Sequence, residues 1–243
     1  MSSQNKSLNV DAVCDVVVVS IFVNPTQFGP NEDFENYPRT LEQDSHLLAE
    51  ADCDILFAPS VEQMYGTQPR LTNIHIEKIT EDLCGLQRPG HFDGVLRVVL
   101  KLFNLTKPTR AYFGKKDAQQ LYLLQNMVAS FFLDLEIVPC EIVREDDGLA
   151  LSSRNVYLSA KERQDALLLC ESLKVATHAV ISGERDIVKI KTEMLHTLKP
   201  LHVEYVEILN RDFDTISTIE IGNSIILVCA KVGTTRLIDN LWI

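Results

Sequence analysis

Two short polar runs in this sequence have the composition of an anion-binding site. Gly114-Lys115-Lys116-Asp117 places a bare residue and two ammonium groups ahead of a helix-forming stretch, whose free N–H groups favour negative charge. Ser152-Ser153-Arg154 offers two hydroxyls, their backbone amides and a guanidinium fork within three residues, a set suited to phosphate. Gln27 and Gln120 each carry a donor and an acceptor and can recognise a small polar substrate. Arg88-Pro89-Gly90-His91 can bring a cation and an imidazole to the same rim. Each run taken alone has a plain alternative: solvated lysines and a cap, a polar turn, a surface histidine, and for Gln120 a helix-capping role.

The commoner signatures are absent. The sequence contains neither G-x-x-x-x-G-K-[ST] nor G-x-G-x-x-G, and no serine sits in a G-x-S-x-G elbow. No His/Cys/Asp group has metal-ligand spacing, so metal ligands stay unassigned. The six cysteines are far apart and form no C-x-x-C pair, which excludes a zinc ribbon and a thioredoxin motif.

The elements that must position these residues can be read from hydropathy. In Asp15 to Val23, four valines and then Ile21, Phe22 and Val23 leave no polar alternation, the pattern of a central parallel strand buried on both faces. Asn24-Pro25 stops it, and the loop through Gly29 lies at the carboxyl end, where ligands bind in open α/β sheets. Thr40 to Ala51 reads as a helix with Leu41, Leu47 and Leu48 inward, and Asp54 to Ala58 as a second buried strand. Asn73 to Ile76 is a shorter strand candidate, followed by a helix-like Glu77 to Leu83. Val95, Val98, Val99, Leu102 and Phe103 give the next helix its core face. Ala111-Tyr112-Phe113 is a strand, Asp117 with Gln120 has the pattern of a capping box, and Leu135 to Val138 adds another strand.

After Cys140 the texture changes. A charged turn and the Ser152–Asn155 loop precede a helix capped by Ser159 and Glu162 and ended by Gly183. A second helix spans Ile187 to Leu198, and Val203–Leu209, Ser224–Lys231 and Thr235–Leu241 read as strands. The expected fold is therefore a doubly wound α/β domain over 1–140 followed by a small α+β domain over 141–243.

Bulk properties narrow the class. With 46% hydrophobic and 23% charged residues over 243 positions, the chain is an ordinary globular protein of one large or two modest domains. A net charge of −11 argues against a general nucleic-acid or membrane-surface binder. Its scattered cysteines suit a reduced, cytoplasmic compartment. The apolar stretches are too short to span a bilayer, and MSSQNKSLNVD has no apolar h-region, so no signal peptide is expected. Met1 to Val13 is expected to be a frayed tail or helix remnant.

Together, VVVVSIFVNPTQFGPNEDFENYPRTLEQD, RPGHFDGV, KLFNLTKPTRAYFGKKDAQQL, DGLALSSRNVYLS and TTRLIDN occur in an order that resembles the pantothenate synthetase (pantoate–β-alanine ligase) family. The resemblance implies an adenylate-forming amide ligase on a nucleotidyltransferase-type Rossmann domain, cytoplasmic and homodimeric. It implies ATP, Mg2+, pantoate and β-alanine as the small molecules handled. It assigns Gln27 and Gln120 to pantoate, Gln27 also to β-alanine, and Asn24 to the lining of the pantoate pocket. Gly114, Lys115, Lys116 and Asp117 would belong to the ATP site, Lys116 meeting the phosphates, with Val143 against adenine or ribose through its backbone. Leu151, Ser152, Ser153 and Arg154 stand where the family has a mobile loop that grips triphosphate. Lys116, Ser152, Ser153 and Arg154 are thus the expected catalytic groups.

One family feature is not among these 243 residues. The resemblance implies a strand, an H-x-G-H loop and a helix before the valine strand, with a loop histidine as proton donor. No two of His46, His75, His91, His178, His196 and His202 form H-x-G-H. Two expectations follow: a pantoate–β-alanine ligase, or a shortened, catalytically inactive homologue serving at most as a non-catalytic dimer partner. Without that strand the sheet is expected to expose an apolar edge that invites aggregation or pairing with another chain.

Overall fold

The valine-rich stretch forms less strand than its composition predicts. In the computed structural model, which describes residues 14–30, 32–67, 71–77 and 79–243, β1 is only Val18–Ser20. It pairs in parallel with β2, Ile55–Phe57, Val18 opposite Ile55 and Ser20 opposite Phe57. The helix α1, Leu41–Glu50, connects them, so the βαβ order holds. Burial on both faces does not: Val16 is 56%, Val18 41% and Ile55 50% exposed. Among the described residues β1 and β2 pair only with each other. Leu41 and Leu47 are likewise exposed, contrary to the inward face expected of α1. The tail reading for Met1–Val13 falls outside the described residues.

The chain divides into two compact units, the first ending at Arg110 and including Asp134–Glu136. Within it, Ser60 and Gln63 form a capping box that starts α2, Val61–Tyr65, a helix not read from the sequence. Asn73–Ile76 forms no strand and the described residues of 77–83 are turns and a bend, after which α3 is the short Cys84–Gln87. The main helix is α4, His91–Thr106; Val95, Val98, Val99 and Phe103 are buried as the 3.6-residue period predicts, Leu96 is buried as well, and Leu102 is only part-buried.

The second unit comprises Ala111–Leu133 and Ile137–Ile243. The pair β3, Arg110–Gly114, and β4, Glu136–Cys140, carries α5, Ala118–Ser130, between its strands. Asp117 is the residue before α5, but its side chain makes no cap; the expected box with Gln120 is not formed because the chain enters through a 3₁₀ turn, Lys115–Asp117. By contrast, Ser159 and Glu162 close their capping box at the start of α6, Ala160–Ile181, worth about 1 kcal/mol to the helix. Gly183, at φ +96°, turns the chain out of it, a conformation that favours glycine. Asp186 then caps α7, Ile187–Thr197, accepting from Val188 and Lys189. An antiparallel sheet in the order β5 (His202–Asn210), β6 (Ser224–Val232), β7 (Thr235–Trp242) completes this unit. Leu169, Leu173, Ile190, Met194, Ile226 and Val228 form the centre of its core.

Candidate active site

In the first unit the site begins at a side chain that is not on the surface. Asn24 is 2% exposed and caps the 3₁₀ turn Pro25–Gln27. Its Nδ2 donates to the Gly94 carbonyl at 3.1 Å and to Gln27 Oε1 at 3.0 Å. A carbonyl can only accept, so this bond fixes which way the Asn24 amide faces. Oδ1 then accepts from Tyr65 Oη at 2.7 Å, Thr26 Oγ1 at 2.9 Å and the Thr26 amide at 3.2 Å. Burial pushes the Tyr65 hydroxyl's pKa up, which keeps it the proton donor. The loop approaches α4 closely: a Cβ added at Gly94 would lie 2.3 Å from the Thr26 carbonyl oxygen, so only glycine fits.

The consequence falls on Gln27. Its Oε1 faces Asn24, so its side chain turns Nε2 outward, and that nitrogen has no hydrogen-bond partner among the described residues. Two N–H donors held in place are suited to a carboxylate or hydroxyl oxygen.

Arg88 and His91 do come together, and they support the loop from beneath. Arg88 is bidentate on Glu32, Nε to Oε1 at 2.8 Å and Nη2 to Oε2 at 2.5 Å. Arg88 Nη1 lies 2.9 Å from His91 Nε2, and His91 Nδ1 lies 2.8 Å from the Gln27 carbonyl. Arginine only donates, so Nε2 is the accepting nitrogen and Nδ1–H donates to the loop: a neutral imidazole in one tautomer. Burial works against the Glu32 carboxylate, but the hydrogen bond and charge of Arg88 outweigh it and hold Glu32 below its ordinary range.

The second unit holds the basic residues and Gln120. Gly114 is exposed at φ −70°, and a Cβ there would meet nothing within 4 Å, so neither backbone nor packing requires glycine. Of the adjacent lysines, Lys115 is already engaged: it pairs with Glu141 and lies 5.6 Å over the Trp242 ring. Lys116 has no ion-pair partner among the described residues. Gln120 is part-buried on the first turn of α5, and its side chain also has no partner among them.

A hairpin carries the remaining residues. Arg144 bridges Ala150, the Leu151 amide donates to the Val143 carbonyl at 2.9 Å, and Val143 and Leu151 are more than half exposed. Ser152 caps the following 3₁₀ turn, its Oγ accepting from the Arg154 amide, with Ser153 opening that turn. The hairpin is tied at its base. Arg163 on α6 donates to Glu145 at 2.7 Å and to Asp147 at 2.7 and 2.9 Å. Buried Asn155 donates to Glu145 at 2.6 Å and to the Ala150 carbonyl at 3.1 Å. The Arg163 bond, ahead of the others, holds both carboxyls below their ordinary pKa values.

Sequence reasoning gave no role to Tyr65, or to Gly94 within RPGHFDGV; they lie 41 and 70 positions from Asn24. It also singled out Thr234–Asn240 without giving Asp239 or Asn240 a task.

The sequence model of the family described as pantoate-beta-alanine ligase matches residues 7–242. The chain belongs to that family. The pantothenate synthetase of Acinetobacter baumannii is 55% identical over 234 residues, 95% of this chain and 82% of that protein. Among solved structures, the pantothenate synthetase of Thermus thermophilus superposes with a TM-score of 0.90 at 41% identity, covering 94% of this chain and 83% of that one. The pantoate-beta-alanine ligase of Francisella tularensis, solved in complex with beta-gamma ATP and beta-alanine, gives 0.77 at 35% identity, covering 96% and 81%. The nucleotidyltransferase-type α/β fold expected for a pantoate–β-alanine ligase is thereby established.

Proposed function

We propose that this chain condenses pantoate with β-alanine, using ATP, to give pantothenate, AMP and pyrophosphate. The observation that carries the proposal is the Gln27 amide, whose oxygen is held by Asn24 so that its N–H donors are left without a partner among the described residues. In the first step the pantoate carboxylate attacks the α-phosphorus of ATP; a P–O bond forms and pyrophosphate leaves. In the second, the β-alanine amine attacks the acyl carbon; the C–N bond forms, the bond to AMP breaks and the amine loses a proton.

The residue roles are those the family resemblance implies, and the unpaired side chains of Lys116 and Gln120 among the described residues support them. Gln27 and Gln120 hold pantoate, and Gln27 then orients β-alanine. Asn24 borders the pocket and sets Gln27. Lys116 meets the phosphates, Gly114 leaves room for them, and Asp117 and Lys115 complete the turn. Val143 and Leu151 flank the nucleotide, with Ser152, Ser153 and Arg154 on its triphosphate. These donors stabilise charge that grows on the leaving pyrophosphate. Magnesium would enter as MgATP, carried largely by the phosphates and water. A domain boundary near Cys140, a cytoplasmic location and a homodimer complete the proposal. Val16, Val18 and Ile55, exposed on the β1–β2 pair and its lead-in, suit association.

The test is exchange of labelled pyrophosphate into ATP without β-alanine. Exchange that requires pantoate, and that falls on the order of 100-fold in Lys116→Ala, is the expected outcome. Exchange independent of pantoate would remove the first step.

A further inference from the structure

The Thr234–Asn240 run found in the sequence has a task in the ATP site just proposed. Asn240, on β7 and 2% exposed, donates through Nδ2 to the carbonyls of both Lys115 and Lys116, each at 2.8 Å. The peptide bonds here are trans, so each carbonyl points opposite to the N–H of the following residue. Gripping the Lys115 and Lys116 oxygens therefore turns the N–H groups of Lys116 and Asp117 away from β7. Those N–H groups lead into α5, where an anion is favoured.

Asn240 gives up something for this. Both carbonyls accept only, which fixes Nδ2 towards them and leaves Oδ1 buried without a hydrogen-bond partner. A buried acceptor left unpaired is uncommon and costs stability, so the position is set by what Nδ2 holds rather than by its own satisfaction. The preceding residue holds the other nucleotide segment. Asp239, 3% exposed, accepts two bonds from Arg144, Nη1 to Oδ2 at 2.6 Å and Nη2 to Oδ1 at 2.9 Å. Arg144 also donates to the Gly148 carbonyl across the hairpin that leads into Leu151–Arg154. One further bond, from the Asn240 amide to Asp239 Oδ1 at 2.8 Å, locks the two residues together.

We infer that Asp239 and Asn240 are positioning residues that bring two ATP-binding segments, the 114–117 turn and the 143–154 hairpin, into register from a single strand. Neither needs to touch substrate. The inference rests on the proposed ATP site.

The experiment compares the full chain with Asn240→Asp, which keeps the shape but loses both donors, and Asp239→Asn, which loses the charge facing Arg144. MgATP affinity is measured by calorimetry, with KM values for ATP and β-alanine and the melting temperature alongside. Each variant is expected to bind MgATP on the order of tenfold more weakly. The β-alanine KM should stay within about twofold, and amide exchange at Lys116 and Asp117 should accelerate in Asn240→Asp. Folded variants that bind MgATP like the parent would overturn the inference alone. So would a uniform loss in which all substrates weaken in step with melting temperature. A parent chain that binds no MgATP would instead sink the ATP site, and the inference with it. If Asn240→Asp does not fold, Asp239→Asn alone decides between these outcomes.

Discussion

Asn24 shows how one buried amide can organise a substrate loop. Both its hydrogens donate, its oxygen accepts from Tyr65 and Thr26, and Gln27 is left presenting donors. Asn24→Ala removes all of this at once. It is expected to destabilise by about 1–3 kcal/mol and to lower kcat/KM for pantoate on the order of tenfold or more. The ATP KM should move less; an equal rise in both KM values would count against a local role. Glu32 is testable by pH. Its folded pKa lies below the ordinary 4.5, so its contribution is complete above that value and disappears as pH falls through the lowered one. Melting curves from pH 3 to 7 should thus show the parent losing its advantage over Glu32→Gln only on the acid side of about 4.5. At this scale the sequence offered Gln27, Lys116 and Ser152–Arg154 as candidates by residue type. It left Arg88 and His91 open between a site rim and a plain alternative, because their partners Glu32 and the Gln27 carbonyl lie 56 and 64 positions away and leave no periodic trace.

Elements differ sharply in how well their neighbours bury them. All but one residue of β6 is buried between β5 and β7, whereas β1 and β2 contain no fully buried residue. Amides of β6 should therefore exchange with deuterium orders of magnitude more slowly than those of β1. Comparable protection in both would contradict the burial pattern. The hairpin at 143–154 depends on Arg163, whose fork joins Glu145 and Asp147. Arg163→Met keeps the apolar stem and removes the fork. A rise of several-fold in the ATP KM with little change for β-alanine is the expected steady-state result. Helices α6 and α7 and strands β5 to β7 were legible because their caps and periods agree with their burial. The Asp117 cap was not, since a 3₁₀ turn replaced the geometry it needed. The inward leucines of α1 and the doubly buried valine strand failed for another reason: composition states what could be buried, not what is present to cover it.

At the scale of the whole molecule, an acidic chain of net charge −11 commits several of its cations to carboxylates. Lys116 is left unpaired among the described residues while Lys115, Arg88 and Arg144 are committed to carboxylates. Among the described residues no helix is long and apolar enough to cross a membrane. Family and fold class were readable from ordered motifs because those motifs carry loops, caps and strand ends together. The supports beneath them came only with three-dimensional closure. The measurement that bears most directly on the proposed ligase is formation of AMP and pantothenate by the purified chain with MgATP and pantoate, with and without β-alanine. Equal amounts of both products, appearing only when β-alanine is present, are the predicted result. ATP turnover that ignores β-alanine, or none from a folded chain, would contradict it.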